Sequence, residues 1–472
     1  MKVIRLKNVT IKNFKNIEYG NLTCNNQNEF GGSVLGIYGQ NGTGKTSFIN
    51  AIQLLKYALT GSTIPQYFVD YINVDSDSAD FKYELSLANN DEIYNVTYKF
   101  KLGKNQDYED GSEIITAPKI FNEILSYSYN NENESIRKSD IINTITNDTA
   151  FFPSTKYKLL IEKNIKPLDL LVLKARAAEK SKSFIFLHEF QKIIDQTNDA
   201  YSNHSKKKDY NDFKQIYSLL KSLINYAQKE LFIINTTNNG FISLNGLPIT
   251  YRRASKSNKV SYGTFILDLY ESESIPTFLY NETKKIIDSI NIVLGKIIPD
   301  LEILVQSSGS EITAEGIEKT KIQFFSIRNG KKISLVYESE GIKKIISILQ
   351  LLIVMYNQPN ITVAIDELDS GIFEYLLGEL LLSISESGEG QLIFTSHNLR
   401  PLEMIDKKFV AFTTSNAKNR IIRLNGIKEN NNLRDFYFRA ILLGGQHEKL
   451  YESSKTEIIE QAFTKAGDNM DE

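Results

Sequence analysis

Residues Gly39-Gln40-Asn41-Gly42-Thr43-Gly44-Lys45-Thr46 fit the pattern G-x-x-x-x-G-K-[ST] at every fixed position. Glycines let the backbone wrap an anion closely enough for its N–H groups to point at phosphate oxygens. A helix beginning here adds the positive end of its dipole. Lys45 has the length to reach the β- and γ-phosphates of a nucleotide, and the Thr46 hydroxyl is placed to hold Mg²⁺. Ser47 completes the candidate contacts at the helix start. A glycine-rich turn with no ligand would not need Lys-Thr at its end.

Far downstream, Ile361-Thr362-Val363-Ala364-Ile365 runs straight into Asp366-Glu367. Adjacent carboxylates at the end of a β-compatible run suit hydrolysis of a phosphoanhydride. Asp366 would hold Mg²⁺, directly or through water, and Glu367 would polarise the attacking water. Thr395-Ser396-His397-Asn398 closes another strand, and His397 is expected to reach the γ-phosphate. Ser339-Glu340-Gly341 precedes a strongly apolar helix, where small residues offer free N–H groups to an anion; Ser339 is equally a good N-cap.

These residues need a scaffold that brings distant segments to one edge. Residues 34–38 read as a buried strand before the phosphate loop and 47–55 as the helix behind it. Downstream, 341–356 and 373–383 read as helices, and 361–365, 391–395, 409–413 and 420–424 as strands. Such alternation means a mostly parallel sheet with helices on its faces. Alternation over 3–14, with paired strands at 81–87 and 92–102, predicts an antiparallel N-terminal lobe. Between the lobes the pattern is helical from about 181 to 232 and from 278 to 298, with a hairpin expected around Asn245-Gly246 and strands at 320–327 and 332–337. No heptads are sustained. The expected fold is therefore α/β: residues 1–110 form the N-terminal lobe, 111–317 a compact, mainly helical insertion, and 318–472 the C-terminal lobe.

Composition narrows the class. The chain has 472 residues, 41% hydrophobic and 24% charged, with a formal net charge of -2, so it carries no global basic field for non-specific nucleic-acid binding. The single cysteine, Cys24, excludes an internal disulfide and a cysteine-based zinc site. The N-terminus lacks the apolar core of a signal peptide, and the apolar run 345–356 falls short of the ~20 residues of a membrane helix. A soluble, cytoplasmic protein with no membrane partner is expected.

Phosphate loop, long insertion, Ser339-Glu340-Gly341, Asp366-Glu367 and His397 stand in the order found in ABC-type ATPases of the SMC, RecF and OLD kind. The chain resembles these over about residues 1–110 and 318–445, and Ile11-Lys12-Asn13-Phe14-Lys15-Asn16-Ile17 is similar to their N-terminal strand signature. The Ser339–Gly341 match lacks the family's fuller Leu-Ser-Gly-Gly pattern. The resemblance implies an ABC-type ATPase head, ATP and Mg²⁺ as cofactors, and hydrolysis to ADP and phosphate. It implies a head-to-tail dimer or higher homo-oligomer, in which Ser339 and Gly341 of one subunit face the γ-phosphate held by Lys45 of the other. Asp369 would then lie in a loop that communicates across the dimer. A metal-contacting glutamine is also implied, with Gln66 and Gln191 as candidates by position. Leu443-Gly444-Gly445-Gln446 looks closer to the signature but follows His397, and a helix ending at Gly444-Gly445 accounts for it.

The chain lacks the long coiled coils of SMC proteins, and about 75 residues after His397 are too few for the nuclease domain of OLD proteins. It thus resembles the stand-alone ATPase subunits of bacterial two-gene anti-phage systems such as PARIS and Septu. That likeness implies a sensor or regulatory subunit with a separately encoded nuclease or toxin as its effector. The alternative is a RecF-like repair or recombination ATPase that clamps DNA. Lys206-Lys207-Lys208, Tyr251-Arg252-Arg253, Lys256 and Lys259 are its candidate phosphate contacts, with solvated loops as the plainer account.

Overall fold

In the computed structural model, which describes residues 2–24, 31–89, 92–107, 115–130, 135–204, 207–236, 246–254, 260–270, 272–426, 432–451 and 456–468, the strand before the phosphate loop, Ser33–Tyr38, is buried along its whole length. It pairs in parallel with Gln391–Ser396 on one side and Val410–Thr413 on the other. Thr362–Ile365 and then Leu231–Ile234 extend the sheet in parallel, and Ile421–Ile422 closes the opposite edge antiparallel. Parallel strands covered on both faces need apolar residues on both, which is why these segments read as unbroken hydrophobic runs. Successive side chains still serve different cores. Leu35, Ile37, Ala364, Ile393 and Ala411 enter one cluster; Val34, Val363, Leu392, Val410 and Phe412 enter the other.

The first cluster is filled by the phosphate-loop helix, Lys45–Thr60, and by an antiparallel sheet. That sheet is ordered Ile17–Thr23, Lys2–Phe14, Ser78–Asn89, Glu92–Asp107, Ile115–Asn130, Ser135–Asn143. The helix is anchored to it where the Tyr83 hydroxyl donates to the Ala51 carbonyl at 2.7 Å. Thr277–Ile297, Glu340–Asn357 and Glu374–Ser387 contribute to the second cluster. The expected α/β head, a largely parallel sheet beside an antiparallel lobe, is present.

The middle segment is divided between the lobes. The antiparallel sheet runs through the boundary expected at 110, because Ile115–Asn130 pairs with Glu92–Asp107. Leu231–Ile234 falls where the helical pattern was expected to end, yet it is an edge strand of the parallel sheet. Four apolar residues carry no period that separates a helix end from a buried strand. Helices Pro167–Glu179, His188–His204 and Lys207–Lys229 pack against the first cluster. Glu273–Pro276, Leu301–Ile312, Glu318–Arg328 and Lys331–Ser334 form a small antiparallel sheet against Thr277–Ile297. The first arm of the hairpin expected at Asn245-Gly246 lies outside the described residues, and Gly246–Ala254 pairs with Val260–Asp268. Among the described residues no helix is long and apolar enough to cross a membrane.

Two buried polar side chains join the lobes. Gln391 is fully buried; its Nε2 donates to the Leu6 carbonyl at 2.9 Å and its Oε1 accepts from the Leu6 N–H at 3.1 Å. The side chain thus acts as a ladder partner beside the register shift between Leu6 and Asn8. Arg5, also fully buried, donates to the carbonyls of Pro359, Gly31 and Glu389. Burial pushes its guanidinium down to about 10, still charged at neutral pH.

Gln391→Leu leaves both Leu6 backbone groups without these partners, and is expected to lower the unfolding free energy by about 2–4 kcal/mol. Urea unfolding followed by circular dichroism measures this. An unchanged midpoint would mean that Gln391 does not hold the lobes together.

Candidate active site

A cleft of about 800 Å³ opens at the edge where the strands of the parallel sheet end. It is lined by Asn41, Gly42, Gly44, Lys45, Thr46 and Ser47, by Glu367, Asp369 and Ser370, by Thr395 and His397, and by Lys15 and Asn16 of the N-terminal lobe. The loop helix starts on Gly44, which sits at φ 102° and ψ 12° with no side-chain cap. The left-handed residue leaves the first-turn N–H groups to face the cleft, the arrangement that receives an anion. Lys45 is buried, and its Nζ donates to the carbonyls of Gly39 at 2.8 Å and Gln40 at 3.0 Å. The Gln40 carbonyl also accepts from the Thr43 hydroxyl at 2.6 Å. Gly39, Gln40 and Thr43 therefore shape the loop, while the cleft itself begins at Asn41. Burial pushes the Lys45 ammonium down to about 8, against the pull of Asp366, Asp369 and Glu367.

Asp366 is only 1% exposed. Its Oδ1 accepts from the Thr395 hydroxyl at 2.6 Å and from the Thr46 hydroxyl at 3.3 Å, while Oδ2 is buried with no hydrogen-bond partner among the described residues. An orphaned carboxylate oxygen inside a protein is costly unless something arrives to use it. Beside the Thr46 hydroxyl it fits a small divalent cation, which takes hard oxygen ligands, few of them from protein and the rest from water and phosphate. Glu367 adopts φ 50°, in the left-handed region. Its N–H donates to the Thr395 hydroxyl at 2.8 Å, and its carbonyl accepts from Lys344 Nζ. Asp369 Oδ2 accepts from the backbone N–H of His397 at 3.0 Å and of Asn398 at 2.9 Å. Burial first, and then the Lys45 charge, push the His397 imidazole below its ordinary value, which favours the neutral ring.

Ser339 and Gly341 do not line the cleft of their own chain. Ser339 is exposed and caps Glu340–Asn357, its hydroxyl accepting from the Ile342 N–H at 3.4 Å. Gly341 is buried against Gly371, in the loop that follows Asp369: a Cβ on Gly341 would lie 1.8 Å from the Gly371 carbonyl oxygen. Neither glutamine candidate reaches the cleft. Gln66 is exposed on a short turn, and Gln191 is buried, donating to the Ile185 carbonyl at 2.8 Å. Lys206, Lys207, Lys208, Tyr251, Arg252, Arg253, Lys256 and Lys259 lie outside the residues whose side chains are described. The helix Leu433–Leu443 ends on Gly444 at φ 74°, so Gly444-Gly445 is a helix terminus.

Five residues join the site unannounced, Ser370 at the cleft wall among them. Asn16 Nδ2 donates to the Gly42 carbonyl and its Oδ1 accepts from the Ser47 hydroxyl at 3.3 Å, so the N-terminal lobe braces the phosphate loop. Lys15 places its ammonium 3.6 Å from the Tyr71 ring centroid at the cleft wall. Both lie in the stretch Ile11–Ile17 and Thr395 lies beside His397, so their presence was visible in sequence but their contacts were not. Lys344 carries no sequence signal: a lysine in an apolar helix reads as an interruption.

The sequence model of the AAA ATPase domain family matches residues 4–400 of the chain. No curated protein matches it. Among solved structures it is similar to an Smc head bound to the C-winged helix domain of ScpA, with 12% identity over 89% of this chain and 97% of that one and a TM-score of 0.43. The SMC head domain from Thermotoga maritima is 15% identical over 89% of this chain and 100% of that one, with a TM-score of 0.35. The recombination mediator RecF-ATPrS in the RecFOR pathway is 13% identical over 89% and 98%, also with a TM-score of 0.35.

Gly341→Ala must push the Gly371 carbonyl away and drag the Asp369–Gly371 loop with it. Stability is expected to fall by about 1–3 kcal/mol, with faster amide exchange across 369–371. Parental exchange rates there would show that the two glycines are not packed as described.

Proposed function

Because the chain belongs to the AAA ATPase domain family, we propose that it binds ATP at the phosphate loop, hydrolyses it to ADP and phosphate with Mg²⁺, and serves as the sensor or regulatory subunit of an anti-phage system whose nuclease or toxin is a separate chain. The observation that carries the enzymatic reading is the meeting of Lys45, the Thr46–Asp366 pair and Glu367 at one cleft. The loop N–H groups and Lys45 hold the β- and γ-phosphates. Thr46 and Asp366 hold the cation, which when bound neutralises charge on the phosphates. Glu367 orients and polarises the attacking water, and neutral His397 donates to the γ-phosphate. Lys15 and Asn16 close the remaining wall.

The reading extends across subunits. In a head-to-tail dimer or higher homo-oligomer, the exposed Ser339 would meet the nucleotide on the partner subunit, and Gly341 would contribute only its backbone, since its Cα is packed on Gly371. Asp369 would carry the state of that junction to His397, whose backbone it already binds. The defence role rests on the resemblance to the stand-alone ATPase subunits of two-gene anti-phage systems, since the order of the motifs is shared with the DNA-clamping alternative. The alternative partner is DNA, clamped by a closed dimer.

Lys45→Ala is expected to weaken ATP binding by about two orders of magnitude or more, read by titration calorimetry. Undiminished affinity would move the nucleotide elsewhere. Glu367→Gln should still bind ATP but turn over about 10²–10⁴-fold more slowly, and accumulate as a closed assembly. Tagged Glu367→Gln recovered with ATP should bring down one stoichiometric protein and little nucleic acid. Abundant DNA with no fixed protein partner would replace the defence reading with the DNA clamp.

A further inference from the structure

A second cavity, of about 650 Å³, lies where Ile115–Asn130 and the helix Pro167–Glu179 face each other, and it shares no residue with the nucleotide cleft. Four lysines line it: Lys104, Lys119, Lys174 and Lys182. Lys174 is committed to the fold, its Nζ donating to the carbonyls of Thr144 at 2.7 Å and Thr146 at 2.6 Å. The other three ammonium groups have no hydrogen-bond or ion-pair partner among the described residues, although Lys119 and Lys182 are half-buried.

Among the described residues two carboxylates line the same space, exposed Asp77 and buried Glu123. Glu123 is already engaged: it accepts from the Tyr98 hydroxyl at 2.6 Å, from the Ser183 hydroxyl, and from the Phe184 N–H at 2.7 Å. Burial pushes its carboxyl above the ordinary value, against the hydrogen bonds it accepts from Ser183, Tyr98 and Phe184. Among the described residues the cavity is therefore concave and carries more lysines than carboxylates, a shape that concentrates anions. Asn122, half-buried at φ 52°, turns the strand at this wall, while Phe121, Leu171 and Phe184 supply an apolar side. The volume, about 650 Å³, falls within the range of small-molecule sites.

The wall of this cavity reaches the phosphate-loop helix. Lys182 and Phe184 belong to the segment 181–186, and the Ser181 carbonyl accepts from the Ile64 N–H at 2.9 Å. Five residues beyond Ser181, the Phe186 carbonyl oxygen lies 2.3 Å from where a Cβ on Gly61, the helix C-cap, would be. The same segment thus forms the cavity and clamps the end of the helix opposite the phosphate loop.

We propose that this cavity is a regulatory site for a small phosphorylated molecule carrying at least two phosphate charges, held by Lys104, Lys119 and Lys182. The proposal does not depend on the ATPase reading, and its test uses binding alone. Full-length Lys45→Ala protein, with the phosphate loop disabled, is titrated with inorganic tripolyphosphate by calorimetry. One saturable site is expected, weakened about tenfold or more by Lys119→Glu with Lys182→Glu and unaffected by Lys285→Glu on a distant helix. In the unaltered protein, tripolyphosphate should protect Lys119 and Lys182, but not Lys285, from amine acetylation read by mass spectrometry. Absence of saturable binding, or equal acetylation with and without tripolyphosphate, overturns the assignment. The acetylation measurement decides the matter even if the charge reversals fail to fold.

Discussion

Two buried ammonium groups and three carboxylates share one sheet edge, and the rest of the molecule depends on their balance. Lys45 and Lys344 are each pushed down to about 8 by burial, and each is held up by Asp366, Glu367 and Asp369. An uncompensated charge at such depth costs several kcal/mol, so neither the lysines nor the acids would be tolerated alone. They come from segments some 300 residues apart in sequence, and only parallel pairing ends those segments on the same side. Parallel pairing in turn requires long crossovers, and the large excursion between the phosphate loop and Asp366 holds two of them, divided by Leu231–Ile234.

The second requirement is that the N-terminal lobe keep a fixed relation to that edge, because Lys15 and Asn16 are part of the cleft wall. Apolar packing across the phosphate-loop helix supplies energy but little orientation, since it is non-directional. Direction comes from Gln391 reading the Leu6 backbone and from Arg5 reaching three carbonyls, contacts that fail if the lobes slide by one residue. Arg420 adds a third tie, its Nε donating to the Asn16 carbonyl at 3.0 Å. Buried polar groups of this kind trade stability for a single arrangement.

What was legible in the sequence follows the same division between local and non-local causes. The phosphate loop, the Asp366-Glu367 strand end and the helix ahead of them were readable because backbone type and chemistry coincide within a few residues. Leu231–Ile234 was not, since its strand character comes from pairing with Thr362–Ile365, which no local pattern encodes. The extension of the antiparallel sheet past residue 110 was hidden for the same reason. Among site residues, Glu367 could be named but not its left-handed backbone, and Gly341 could be named for its N–H but not for its packing on Gly371. Thr395 and Lys344 act through contacts made only once the strands and the helix are assembled.

That last point bears on how the site is kept ready. A residue with a Cβ held at φ 50° costs about 1–2 kcal/mol relative to the right-handed region, and glycine would remove the cost at once. A glycine there would also remove the carboxylate, so the strain is the consequence of asking one position for both a tight turn and an acid. The strain is contained from two sides. Thr395 accepts the Glu367 N–H while donating to Asp366, which ties the two carboxylate residues to the strand that leads to His397. Lys344 donates to the Glu367 carbonyl from the helix that Ser339 caps, and Gly341 on that helix touches the loop beyond Asp369. The helix that presents Ser339 outward is thus bonded at its first turns to the peptide that aims Glu367. A rotation of that helix cannot leave the Glu367 peptide where it was.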